Sequence, residues 1–324
     1  MKKRERVLAA LHGGPVDRPP VALWRHFPEA DQNAAELARA HLNFQTRYDW
    51  DFIKVTQAGA YPGVDWGLRT EYRENREGTR TGVDYPVKTS ADWRRLPLLD
   101  VHQGVYGREL HTLRLVRAGC GPDIHVMPTI FGPLSAAKYL GRDRLLEDLR
   151  EHPADLHAGL QVIAQVTASF AVACLQSGAD AIYFATQFAN QEVLTEDQYR
   201  EFSVPYDRVV LDAVSGKAAF ILLHAHDKRP MFDLLAAYPV QAINWHDRTE
   251  APNLAGGQQR FAGAVAGGID EWGALQTDPE TIAAQAREAI AQTGGRRFIL
   301  AAGCVIPMDT PEANIRAVRQ SVEP

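Results

Sequence analysis

The stretch "AFILLHAHD", residues 219–227, decides how this chain is read. Apolar residues run without alternation from Ala219 to Leu223, then give way to His224, Ala225, His226 and Asp227. An antiparallel strand with one wet face alternates apolar and polar residues. A strand apolar on both faces belongs in a parallel sheet covered by helices. The same form recurs along the chain: "PVALWRHF" (20–27), "DFIKVTQ" (51–57), "IHVMPTIFG" (124–132), "ADAIYFATQ" (179–187), "VQAINWHD" (240–247), "QRFAGAVAGG" (259–268) and "RRFILAAGC" (296–304). With 219–227 these make eight runs.

The segments between them carry helix signals. "LTEDQYREFSVPYDRVVLDAVSG" (194–216) predicts a helix capped by Thr195, acidic in its first turn and stopped at Gly216. "DTPEANIRAVRQSV" (309–322) predicts Thr310 as cap with Pro311 at the first helical position. Eight strand–helix units in 324 residues predict an α/β fold, a (β/α)8 TIM barrel forming a single domain over 1–324. A doubly wound open sheet competes, but the chain lacks the glycine fingerprint of a dinucleotide fold. The spacing departs from the rhythm between the second and third strands. There residues 58–123 hold "AYPGVDWGLRTEYRENREGTRTGVDYP" (60–86), which reads as a hairpin, followed by a helix around 107–118. Long insertions in barrels sit over the active face, so 58–123 is expected to be a lid.

Bulk properties narrow the function. Hydrophobic residues are 45% and charged residues 23%, ordinary for a globular enzyme. A net charge of -5 with no basic stripe argues against nucleic acid as a partner. "MKKRERVLAALHGG" (1–14) reads as an amphipathic helix, not a signal peptide. No apolar run approaching 18 residues stands out, so no membrane span is expected. Cys120, Cys174 and Cys304 are too irregularly spaced for a disulfide framework, which predicts reduced thiols and a cytoplasmic location.

Barrel strands point their carboxyl ends at one rim, where catalysis sits. The polar residues at those ends are Arg25 and His26, Gln57, Ser135 and Tyr139, Thr186, Gln187 and Asn190. The later strands add His224, His226 and Asp227, then Asn244, His246 and Asp247, and finally Cys304. His224 and His226, two apart on a strand, leave the same face with Cα atoms roughly 6–7 Å apart. Two imidazoles so placed can hold zinc, and Cys304 can add a thiolate. Three ligands with a vacant fourth position is the catalytic zinc pattern. Histidines satisfied inside a polar pocket look identical in sequence, and an isolated cysteine reads as a small buried residue. The joint placement at one rim is what favours a metal. His246 is a further ligand or a general base, with Asp247 as its orienting partner.

The chain resembles the uroporphyrinogen decarboxylase superfamily, which includes methylcobamide:coenzyme M methyltransferases. The resemblance spans nearly the whole chain. It rests on "RERVLAALHGGPVDRPPVALWRH", "IFGPLSAAKYLG", "GADAIYFATQ", "VPYDRVV", "LLHAHDKRPMFDLLA" and, most specifically, "ILAAGCVIPMDTPEANIRAV". It implies the barrel fold reached above from the strand count. The decarboxylase branch carries two arginines after the first strand, a strand-two aspartate, a pocket tyrosine and a late histidine. Arg25 matches the first arginine, "HFPEAD" offers no second, the aspartate falls at Gln57, the tyrosine matches Tyr139 and the histidine falls at Cys304. A carboxylate stabilises a cationic decarboxylation intermediate, whereas the amide of Gln57 offers only a dipole. The methyltransferase branch implies a His-x-Cys pair plus a late Cys binding zinc. His224 and Cys304 match, and His226 replaces the middle cysteine.

The resemblance therefore implies a zinc-dependent methyltransferase-like enzyme that activates a thiol or other small nucleophile. A corrinoid enters as substrate or as a cofactor borne by a partner corrinoid protein, and the assembly is expected to be a homodimer. In that account His224, His226 and Cys304 bind metal, and Tyr139, His246 and Gln57 are catalytic. Arg25, His26, Gln187 and Asn190 contact substrate. Decarboxylation of a uroporphyrinogen-like tetrapyrrole is the alternative, with Arg69 and Arg80 of the insertion adding cations. A non-catalytic tetrapyrrole or corrinoid binder is the third reading.

Overall fold

A computed structural model describes residues 1–323. Its strands are β1 (Phe52–Val55), β2 (Arg69–Tyr72), β3 (Arg80–Asp84), β4 (His125–Phe131), β5 (Ile182–Thr186), β6 (Ile221–Ala225), β7 (Ala242–Asn244), β8 (Ala264–Ile269) and β9 (Phe298–Ala302). Seven of them form one parallel sheet in the order β1-β4-β5-β6-β7-β8-β9, every neighbour pair parallel, and β2 and β3 pair separately. The fold is an α/β TIM barrel, as the strand count predicts.

The first expected strand differs. Residues 20–27 form no strand, and Val21 makes only a single parallel bridge to Leu300. Ala22 N–H donates to Leu300 O at 3.1 Å and Leu300 N–H donates to Pro20 O at 2.8 Å. On the other side Asp51 N–H donates to Val21 O at 3.0 Å. The segment thus fills the gap between β9 and β1 and closes the ring. Pro19 and Pro20 have no N–H to extend the ladder, so closure shrinks to one bridge.

The helix 194–216 is capped as expected, Thr195 Oγ1 accepting from Gln198 N–H at 3.2 Å. It then breaks into Glu196–Phe202 and Val204–Val214. Pro205 lacks the N–H for the ladder and its ring clashes one turn back, which accounts for the break. The last helix begins one residue later than expected, at Glu312, with Pro311 as its cap. The Thr310 hydroxyl instead donates to Pro307 O at 2.8 Å.

The insertion carries the antiparallel hairpin β2–β3 and a helix Gly104–Cys120. Arg76, in the hairpin turn, pairs with Asp309 at 2.7 Å, and Met308 N–H donates to Arg76 O at 2.7 Å. These bonds moor the hairpin to the loop after β9, beside the carboxyl ends of the barrel strands. One helix corrects the expectation of no apolar span: Pro153–Gln176 is long and apolar enough to cross a membrane by length and composition. In the fold 61% of its apolar window is buried inside the protein, with Leu160, Ile163 and Phe170 in the core.

Candidate metal centre and its cavity

A cavity of about 460 Å³ opens at the carboxyl ends of the strands. That volume suits a small ligand. At its base His224, His226, His246 and Cys304 bring one ligand atom each to within 4.8 Å of one another. Cys304 Sγ lies 3.6 Å from His224 Nε2 and 3.7 Å from His226 Nδ1.

The orientation of His224 follows from its neighbour in the sheet. His224 on β6 and Asn244 on β7 are register partners. Asn244 Nδ2 donates to Ala266 O at 2.9 Å and to Ala302 O at 3.0 Å, so its oxygen must face His224. That oxygen sits 2.7 Å from His224 Nδ1, which makes Nδ1 the protonated nitrogen and leaves the Nε2 lone pair directed at Cys304. His246 is held in a related way, its Nδ1 2.6 Å from Glu271 Oε1. Its Nε2 is buried and has no hydrogen-bond partner. Glu271 is 3% exposed, and its other oxygen accepts from Gly303 N–H at 3.1 Å. A Cβ at Gly303 would stand 2.9 Å from His246 Cα and 3.0 Å from Glu271 Oε2, so only glycine lets these strands approach.

These donors fit a zinc-type ion. Bond lengths of about 2.3 Å to sulfur and about 2.05 Å to nitrogen at tetrahedral angles put S and N about 3.6 Å apart. The two observed separations match that value. The electrostatics agree with ligand roles. Burial and the neighbouring His226 hold His224 well below the ordinary imidazole range, and burial with His246 pushes His226 down to about 4, so both present lone pairs. Burial and Glu271 push the Cys304 thiol up to about 12. A coordinated metal deprotonates such a thiol outright. Burial would lower His246, but the Glu271 hydrogen bond and charge outweigh it and raise its pKa.

The other sequence-predicted residues divide. His26, Gln57, Tyr139 and Gln187 line the cavity. Gln57, however, has both ends of its amide on the Thr129 backbone, at 3.2 Å each, and so extends the contact between β1 and β4. Burial and Lys54 drive His26 down to about 3, and burial pushes the Tyr139 hydroxyl up to about 12. Arg25 and Asn190 are not on the cavity wall. The Arg25 guanidinium lies over the Phe27 ring at 5.7 Å, and Asn190 Oδ1 accepts from Glu192 N–H at 2.7 Å in a turn. Asp247 does not orient His246. It points the other way, accepting from Gly268 N–H at 2.9 Å, and Glu271 takes the expected role. The insertion arginines are also engaged elsewhere: Arg69 pairs with Asp84 at 3.3 Å, and Arg80, though on the cavity wall, pairs with Asp31 at 2.8 Å.

Sequence reading missed two residues. Glu271 stands two positions beyond β8, a rim position by the same rule that selected the others. Lys54 is the lone charge inside the apolar run of β1, a signal visible in "DFIKVTQ".

Comparison with known proteins agrees with this geometry. The profile described as Uroporphyrinogen decarboxylase (URO-D) matches residues 2–324. Methylcobamide:CoM methyltransferase MtbA of Methanosarcina mazei is 21% identical over 328 residues, covering 97% of this chain and 95% of that protein. Uroporphyrinogen decarboxylase of Synechococcus sp. (strain JA-2-3B'a(2-13)) is 23% identical over 362 residues, covering 98% of each. The solved structure of a methyltransferase from Methanosarcina mazei superposes with a TM-score of 0.87 at 19% identity, covering 99% of this chain and 98% of that one. This chain belongs to the uroporphyrinogen decarboxylase (URO-D) family and is an enzyme of that superfamily.

Proposed function

We propose that this protein is a zinc-dependent, methyltransferase-like enzyme that activates a thiol or another small nucleophile to accept a methyl group from a corrinoid. The observation that carries the reading is the meeting of Cys304 Sγ with His224 Nε2 and His226 Nδ1 at 3.6 and 3.7 Å. His224, His226 and Cys304 would hold the ion. A bound zinc lowers the pKa of a coordinated thiol and keeps it as a nucleophilic thiolate. The remaining work belongs to the chain. Asn244 fixes the tautomer of His224. His246 offers its unpartnered Nε2 to the proton that the nucleophile releases, with Glu271 compensating the charge. The hairpin β2–β3, whose residues Thr79 to Gly82 line the cavity, covers the mouth and limits access of water.

The long-range cations required for a multiply charged tetrapyrrole are less in evidence, since Arg69 and Arg80 already pair with Asp84 and Asp31. Metal analysis of the purified protein tests the proposal. One equivalent of zinc in wild type and its loss in His224→Ala support it. No metal in either, or release of CO2 from uroporphyrinogen by the metal-free protein, overturns it.

A further inference from the structure

Lys54 is a charge without a counter-charge. It is 6% exposed, stands on β1 facing the barrel interior, and lines the same cavity as the His–Cys cluster. Its ammonium donates to Thr56 Oγ1 at 3.1 Å and lies 4.7 Å from the Tyr183 ring centroid. Among the described residues no carboxylate forms an ion pair with it, whereas the neighbouring cavity cation Arg80 has Asp31. Burying an ammonium without a paired anion is costly, and a protein retains such a group only where something offsets the cost. A hydroxyl and an aromatic face offset part of it. They also hold the side chain in place, so little freedom remains to be lost when a ligand arrives.

We infer that Lys54 is the anion subsite of this cavity, and that the small nucleophile carries an acidic group, such as a carboxylate or sulfonate, that pairs with it. The anion subsite stands on Lys54, Thr56 and Tyr183 alone. Only the choice of an acidic thiol as ligand rests on the proposed function. Charge balance points the same way. A divalent ion, one thiolate from Cys304, the Glu271 carboxylate and the Lys54 ammonium leave the inner cavity with a net positive charge for an anion to neutralise. The thiol end then lies toward the His–Cys cluster and the acidic end toward β1. Tyr183 separates the two, its ring stacked on His224 with centroids 5.5 Å apart.

The test compares 3-mercaptopropionate with neutral 2-mercaptoethanol by calorimetry on zinc-loaded protein, and propionate on chelator-treated protein. Wild type, Lys54→Met and Lys54→Arg are used. A charge-assisted pair makes the acidic thiol bind wild type roughly 10- to 100-fold tighter than the neutral one. Lys54→Met should abolish that preference without changing 2-mercaptoethanol binding, and Lys54→Arg should restore part of it. Because Met fills the space without a buried charge, the thermal midpoint of Lys54→Met should equal or exceed that of wild type. An unchanged preference in Lys54→Met overturns the inference. So does a borohydride-trapped adduct on Lys54 with a carbonyl compound, which would assign it imine chemistry. If zinc does not bind but propionate still distinguishes wild type from Lys54→Met, the metal reading fails and the anion subsite stands.

Discussion

Replacing Cys304 with serine keeps size and shape while exchanging a soft thiolate for a poor ligand. Its sulfur makes the two short contacts to His224 and His226, so the structure assigns it a full share of metal affinity. Structural zinc sites bind with about 10–16 kcal/mol over four ligands, or about 3 kcal/mol for each. Losing that share weakens binding roughly 100-fold. The neighbours should not rearrange to compensate, because His224 is locked by Asn244 and His246 by Glu271. Competition with a chelator of known affinity measures the change, and cobalt substitution gives a second readout. Wild type should show the thiolate-to-cobalt charge-transfer band and Cys304→Ser should lack it. Equal metal affinity in the two proteins, or a cobalt spectrum without thiolate character in wild type, would refute the assignment of this sulfur as a ligand.

His246→Gln should retain metal within about threefold of wild type while methyl transfer falls roughly 100- to 10,000-fold, the range for loss of a general base; equal losses of metal and activity would instead make His246 a ligand. Asp207 predicts a pH effect on stability. Burial raises its carboxyl from 3.8 to about 7 despite hydroxyl bonds from Tyr238 at 2.7 Å, Ser203 at 2.9 Å and Tyr199 at 3.1 Å. The fold therefore binds the proton more tightly than the unfolded chain, and stability is lost as the pH rises from about 4 to about 7, by up to about 4 kcal/mol. In Asp207→Asn the difference between urea unfolding at pH 5 and at pH 8 should shrink; a wild-type-like difference would show that Asp207 is ionised throughout.

Much of this molecule was legible in linear order. The apolar runs with polar ends marked β1 and β4 to β9, because burial on both faces leaves a local imprint that needs no knowledge of partners. The hairpin of the insertion and the cap at Thr195 were legible for the same reason: turn and capping chemistry act within a few residues. Even the rim residues His224, His226 and Cys304 could be chosen from their position at strand ends. Folding decided which of these groups meet. Asp247 and Glu271 look equally suited to orient His246. Strand register and the glycine at 303 let Glu271 reach it, while Asp247 turns to the backbone of Gly268. Arg25 and Arg80 both suggest substrate contacts, yet one lies outside the cavity and the other answers to Asp31. Lys54 appears in the sequence as an oddity in an apolar strand, and only the closed barrel reveals it as an unpaired charge beside the cluster. Hydrophobic pattern is a property of neighbours along the chain, whereas pairing and burial of charge depend on residues brought together from distant positions when the ring closes.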